Sequence, residues 1–251
     1  MNAIRIAWLD PDDDPESFPD VENALREPDG LLAAGGDLHK DRLLAAYRKG
    51  IFPWYDDGQP ILWWSPDPRC ILRPERLQIS RRLAQYARTS SLTLHFNTAF
   101  DEVIRACAGA RRSQQGTWIT GEMIAAYELL HATGWAHSIE VRDDNRLVGG
   151  LYGLCIGQVF FGESMFSTAD NASKFAMVGL AAQMLEHGLE LIDCQVVSQH
   201  LLTIGAETMS RRDFTTTLGR LCAAAIPFNA WPDAPVSIAH ALRDWRAAAL
   251  H

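Results

Sequence analysis

The stretch LIDCQV, residues 191–196, sets two polar side chains one residue apart within an apolar run. Side chains alternate across a strand, so Asp193 and Gln195 would share one face, with Ile192 and Cys194 on the other. A carboxylate accepts hydrogen bonds, and a carboxamide both donates and accepts them. Such a pair can bind an amine and take its proton; a polar stripe on an exposed sheet face has the same spacing. A second carboxylate, Glu163, sits in VFFGESMF among apolar and small residues. It either faces solvent while Phe161 faces the core, or stands in a cleft whose walls include Leu151, Phe160 and Phe166. Gly149, Gly150 and Gly153 in LVGGLYG leave room beside that strand or admit close backbone approach. Trp118, in GTWIT, lies outside any helical stripe and suits either a core or a stacking wall for a ring. Lys174 follows Asn171, a candidate helix cap, and opposes the helix dipole. That placement fits an anion contact or an ordinary solvated lysine.

Helices and strands alternate around these stretches. Residues 1–68 read as a small unit: the acidic, proline-punctuated loop DPDDDPESFPD, turns at Gly30, Gly35 and Gly36, and a helix in LHKDRLLAAYRKG. Asp37 is the expected cap of that helix, Gly50 its stop, and Leu38, Leu43 or Leu44, Ala45 and Tyr47 its apolar face. A short strand, ILWWS, follows among prolines and aromatics. Residues 69–251 carry helices in SRRLAQYARTS, TAFDEVIRACAGA and TGEMIAAYELLHATG, with the strand LTLHFN between the first two. A three-stranded meander through SIEVR, LVGGLYGLCI and VFFGESM comes next. The helix NASKFAMVGLAAQMLEHG and the strand LELIDCQV follow, then helices in SQHLLTIGA and RRDFTTTLGRLCAAA. The expectation is an α+β protein with a small N-terminal domain, 1–68, and a mixed-sheet domain, 69–251.

At 251 residues, with 47% apolar and 22% charged residues, the chain has enough material for well-buried cores. No apolar run reaches a membrane span, and the N-terminus lacks the pattern of a secretory signal. The five cysteines are scattered without a C-x-x-C pair, and the histidines lack ligand spacing. Neither metal nor disulfide is expected, and reduced thiols fit a cytoplasmic protein. The net charge of −8 is concentrated in residues 1–60, which hold 13 acids and 6 bases. The rest is nearly neutral and contains the doublets Arg81–Arg82, Arg111–Arg112 and Arg211–Arg212. Guanidinium forks suit phosphates, and local patches rather than net charge decide nucleic-acid binding.

Ten stretches, in order, resemble the bacterial leucyl/phenylalanyl-tRNA–protein transferases: EPDGLLAAGGDL, AYRKGIFPWY, PILWWSPDPR, GTWIT, AHSIEV, LVGGLYG, GESMFS, NASK, LIDCQ and RRDF. The resemblance runs roughly from Phe18 to Phe214. It implies passage of leucine or phenylalanine from aminoacyl-tRNA to the α-amino group of proteins beginning with Arg or Lys, tagging them for N-degron degradation. It also implies a domain like the GNAT acyltransferases, with which the meander–helix–strand order agrees. Asp193 then matches the catalytic carboxylate and Gln195 its partner. Glu163 would meet the cationic acceptor, and Leu151, Phe160 and Ile192 would wall the aminoacyl pocket. Trp54 and Trp118 match positions near the terminal adenosine. The aminoacyl ester is already activated, so no metal or other cofactor is implied. One methylene is worth only ~1–3 kcal/mol of discrimination, so several apolar side chains, methionine included, should be accepted. A monomer is expected. Two rivals make different demands. An acetyl-CoA enzyme wants a glycine-rich turn before its helix, where this chain has FSTAD; a non-catalytic tRNA-binding module would not need Asp193 and Gln195.

Overall fold

The computed structural model describes residues 6–115, 118–223 and 228–250, with side chains throughout except at 111–115. The Arg111–Arg112 side chains, Gly116 and Thr117 of GTWIT, and Ala224 and Ala225 at the end of RRDFTTTLGRLCAAA lie outside the described residues.

Strands β1 (Ala7–Leu9) and β2 (Leu31–Gly35), helix α1 (Lys40–Arg48), and strands β3 (Phe52–Pro53) and β4 (Leu62–Trp64) come first. The four strands form a sheet in the order β1-β2-β4-β3, parallel only between β1 and β2. The cap of α1 differs from expectation. His39 is the N-cap, while Asp37 accepts from the His39 backbone N–H at 2.6 Å and from Arg42 Nε at 3.1 Å. Buried Arg42 needs that carboxylate more than the helix end does. Gly50 follows the helix in the left-handed conformation, φ +76°, which an L side chain rarely adopts.

The remaining elements are β5 (Arg69–Leu72), α2 (Arg81–Thr89), β6 (Thr93–Phe96), α3 (Phe100–Gln115), α4 (Gly121–Ala132), β7 (Ala136–Asp143), β8 (Arg146–Ile156), β9 (Val159–Ser167), α5 (Ala172–Glu186), β10 (Leu191–Gln195), α6 (Gln199–Thr203), β11 (Glu207–Met209), α7 (Arg211–Leu221), β12 (Val236–Ser237) and α8 (Ile238–Ala248). Their strands form an eight-stranded sheet, β11-β5-β10-β9-β8-β7-β6-β12. Every pairing in it is antiparallel except β9 with β10. The protein is thus a mixed α+β fold with a small N-terminal sheet and a large mixed sheet.

Two cores cover the large sheet, and alternation along β9 sends Phe160 into one and Phe161 into the other. The Phe161 side is closed by residues of α1, α3, α4 and α7 and continues into the small sheet through Trp63 and Leu32. The Phe160 side is closed by α2, α5 and α8, and α5 is buried almost all round. The β8 glycines serve close approach rather than open space. A Cβ on Gly149 would lie 2.5 Å from the Ala172 Cβ where α5 crosses. On Gly153 it would lie 2.1 Å from the Phe161 carbonyl oxygen and 2.7 Å from the Phe160 ring.

Candidate active site

Strands β9 and β10 pair in parallel only from Val159–Leu191 to Phe161–Asp193. Beyond that point no pairing joins them, and the gap opens into a cavity of about 390 Å³. Gly162, Glu163, Ser164 and Met165 line one side of it, and Cys194, Gln195 and Val196 the other. Its apolar wall combines Leu151, Phe160, Met177, Leu180 and Ile192; Trp54 and Trp118 stand at its edge. Seven residues singled out from sequence therefore come together here: Trp54, Trp118, Leu151, Phe160, Glu163, Ile192 and Gln195. Asp193 does not line the cavity, and neither does Phe166, which is buried in the core on the Phe161 side.

Glu163 is buried, 6% exposed, and accepts hydrogen bonds from Tyr47 Oη at 2.7 Å, Tyr127 Oη at 3.0 Å and Gln195 Nε2 at 2.8 Å. The two tyrosine hydroxyls also hydrogen-bond each other. Tyr47 Oη, Tyr127 Oη and the two carboxyl oxygens thus make three contacts, for which the hydroxyls supply two protons. A proton on Glu163 supplies the third, the carboxyl group then donating to one tyrosine instead of accepting from it. Burial acts in the same direction and is the largest cause of its raised pKa, about 7; the nearby Asp193 charge adds to it, while the three hydrogen bonds hold it down. The same burial, with the Glu163 charge, pushes both tyrosine hydroxyls well above their ordinary value. The solvent-facing alternative for Glu163 is excluded.

Asp193 is fully buried behind the cavity. Arg69 grips it in a fork, Nε to Oδ1 at 2.8 Å and Nη2 to Oδ2 at 2.6 Å. Arg69 Nη1 donates to the Gly50 carbonyl at 3.0 Å, and its guanidinium lies 4.7 Å from the ring centres of both Phe52 and Phe214. The remaining reach of Asp193 goes to its neighbour: Oδ1 accepts from the Gln195 backbone N–H at 2.9 Å. That bond spans a bulge at which Gln195 takes φ +61°. The bulge interrupts simple alternation and aims the Gln195 carboxamide at Glu163.

Tyr47, Tyr127 and Arg69 did not stand out in the sequence. Tyr47 sits within an apolar helix face and Tyr127 within a helix of apolar and polar residues alike, so neither carries a local signal. Arg69 had one, a cation entering the core strand RCIL. The other flagged cations divide. Arg81, Arg82 and Arg212 are exposed, but Arg211 is buried, donating to the Ser65 carbonyl from Nη1 at 2.6 Å while its backbone N–H binds Asp67. Arg211 therefore staples a loop instead of offering a phosphate contact. Asn171 occupies the start of α5 in the left-handed conformation without a side-chain capping bond, and Lys174 is half-buried beside a separate open hollow.

Comparison with known proteins places this arrangement in a class. Residues 71–219 match the family described as Leucyl/phenylalanyl-tRNA protein transferase, and residues 36–67 match the N-terminal domain of the same family. Among curated relatives, the leucyl/phenylalanyl-tRNA–protein transferase of Pseudomonas syringae pv. syringae is 58% identical over 203 residues, 81% of this chain and 89% of the relative. The transferase of the same name from Pseudomonas entomophila is 55% identical over 215 residues, 86% and 94% respectively. That of Chromohalobacter salexigens is 54% identical over 219 residues, 87% and 86%. The chain belongs to the leucyl/phenylalanyl-tRNA–protein transferase family. Among the described residues no helix is long and apolar enough to cross a membrane.

Proposed function

We propose that this chain moves leucine or phenylalanine from aminoacyl-tRNA onto the α-amino group of an acceptor protein, and that the gap between β9 and β10 is where the two substrates meet. One observation carries the assignment to this site: Gln195 and Glu163 are hydrogen-bonded to each other in the wall of an otherwise largely apolar cavity. The apolar wall of Leu151, Phe160 and Ile192 receives the aminoacyl side chain, and Trp54 and Trp118 stack on the terminal adenosine. Gln195 Nε2 is engaged by Glu163, which leaves Oε1 to accept from the incoming amine. The amine nitrogen attacks the ester carbonyl carbon, the bond from that carbon to the ribose oxygen breaks, and the tRNA departs as a hydroxyl. The acceptor's α-ammonium group sheds two protons in all: Glu163, with proton affinity matched to neutral pH, takes one, and the departing ribose oxygen takes the other. Asp193 then works as a positioning residue, fixing the Gln195 backbone through Oδ1 and neutralising Arg69.

A carboxylate at that point favours acceptors beginning with Arg or Lys, the class whose tagging would feed N-degron degradation. Exposed Arg81, Arg82 and Arg212 supply phosphate contacts for tRNA. An antiparallel meander followed by a helix and one parallel strand that parts from its neighbour supports a GNAT-like domain from residue 69 onward, behind an N-terminal domain at 1–68. That none of the five cysteines forms a disulfide supports a cytoplasmic site of action, and a monomer remains the proposed state of the chain. The test is incubation with labelled leucyl-tRNA and an Arg-initiated peptide. Label in the peptide supports transfer; a gel shift without transfer reduces the chain to a tRNA-binding protein.

A further inference from the structure

The cleft wall holds a thiol that none of this chemistry uses. Cys194 lines the cavity between Ile192 and Gln195 and is half-buried; Cys70 is fully buried on the neighbouring strand β5. Their strands are antiparallel, Asp193 opposite Ile71 and Gln195 opposite Cys70, so the bulge leaves Cys194 as the extra residue beside Cys70. Both sulfurs face the Phe160 side of the sheet, where Cys70 belongs to the core and Cys194 packs against it. Neighbouring positions of antiparallel strands have the Cα separation that a disulfide needs.

We propose that Cys194 and Cys70 form an oxidant-sensitive modification site, at which a peroxide links the two sulfurs and disables the cleft. Cys194 is the sulfur that a small oxidant entering the cavity reaches. The peroxide O–O bond breaks, one oxygen joining the Cys194 sulfur as a sulfenic acid and the other leaving as water. The Cys70 sulfur then attacks the Cys194 sulfur, and the sulfenic oxygen leaves as a second water with the Cys70 proton. Two thiols are oxidised by two electrons and one peroxide is reduced. A hydrogen bond from Cys194 to Cys70 lowers the Cys70 pKa, which suits the resolving thiol, whereas it and burial raise that of Cys194 and make the first step the slow one.

A disulfide is only about 2 Å long. Closing it draws the Cys194 sulfur out of the cavity wall and strains the bulge that holds Gln195 in place. Displacing a reacting group by about 1 Å can cost up to 10²-fold in rate, so the oxidised protein should transfer at least tenfold more slowly. That consequence rests on the cleft being the transfer site; formation of the bond does not.

The test treats the reduced full chain with excess hydrogen peroxide, counts free thiols after denaturation, maps the linked peptides and measures leucine transfer. The expected result is a fall from five free thiols to three, a Cys70–Cys194 link, and a loss of transfer reversed by dithiothreitol. Cys70→Ala, as active as wild type when reduced, should show no dithiothreitol-reversible loss. Five surviving thiols, a link between other cysteines, or full transfer by the linked protein overturns the proposal. Absence of transfer even in the reduced protein would count against the cleft's proposed function instead, while thiol counting and mapping still decide the modification site.

Discussion

Replacing Asp193 by Asn separates a positioning role from direct proton transfer, because the two roles leave different traces in stability. Asp193 is fully buried, and its carboxylate meets both Arg69 nitrogens of one fork at 2.8 and 2.6 Å. The substitution keeps the volume but removes the negative charge and one of the two fork acceptors, leaving the Arg69 guanidinium uncompensated in the core beside one amide oxygen, the Gly50 carbonyl and two aromatic rings. Removing one partner of a buried pair costs about 3–5 kcal/mol. A chain of this size loses roughly 2–4 °C of melting temperature per kcal/mol, so the midpoint should drop by about 6–20 °C. Urea titration and thermal melts of purified Asp193→Asn measure it directly. The double variant Arg69→Met with Asp193→Leu leaves no orphan charge, so most of the lost stability should return. Transfer should stay low in the double variant, where the Gln195 backbone N–H has lost its acceptor, whereas the amide oxygen of the single variant Asp193→Asn can still accept from it. An Asp193→Asn protein that melts like wild type but no longer transfers would refute the positioning role and return Asp193 to the chemistry.

Tyr127→Phe removes the hydroxyl that donates to Glu163 Oε2 while Tyr47 keeps its bond to Oε1; about 1–3 kcal/mol of stability should go with the buried acceptor left short of a donor, with a fall in kcat visible in steady-state transfer and the KM for aminoacyl-tRNA little changed. Gly153→Ala forces a Cβ against the Phe161 carbonyl and the Phe160 ring, so chemical denaturation should show a loss of about 1–3 kcal/mol. The raised pKa of Glu163 also couples to stability: the unfolded chain releases this proton near the ordinary value of 4.5, the folded state only at about 7. The folded state binds the extra proton in that window, so this contribution is whole below about pH 4.5 and is lost as pH rises through about 7. Melting of Glu163→Gln should lack that component of the pH dependence.

Much of the cleft was legible because strands advertise their faces. The polar pair in LIDCQ and the carboxylate in GESMFS each break an otherwise apolar pattern, and the fold brings Gln195 and Glu163 together at one gap, while Asp193 lies behind it and the β8 glycines serve close packing. Helices α1 to α7 were readable from period and caps, though Asp37 was diverted from its cap by buried Arg42, a partner supplied by the tertiary fold; α8 was not read from the sequence. What local pattern could not carry was long-range pairing. Glu163 meets Tyr47 across 116 positions and Asp193 meets Arg69 across 124. Tyrosines on helix faces look like core residues until a carboxylate is placed beneath them. The bulge at Gln195 was equally hidden, since its left-handed φ belongs to a residue type that gives no hint of it.

The most direct measurement is the pH dependence of kcat/KM for leucine transfer to an Arg-initiated peptide, wild type beside Glu163→Gln. With Glu163 as the proton acceptor, the wild-type rate rises as pH passes through about 7, where the carboxyl group loses its proton, and Glu163→Gln loses that limb together with most of its activity. Superimposable profiles with equal plateaus would contradict the role assigned to Glu163.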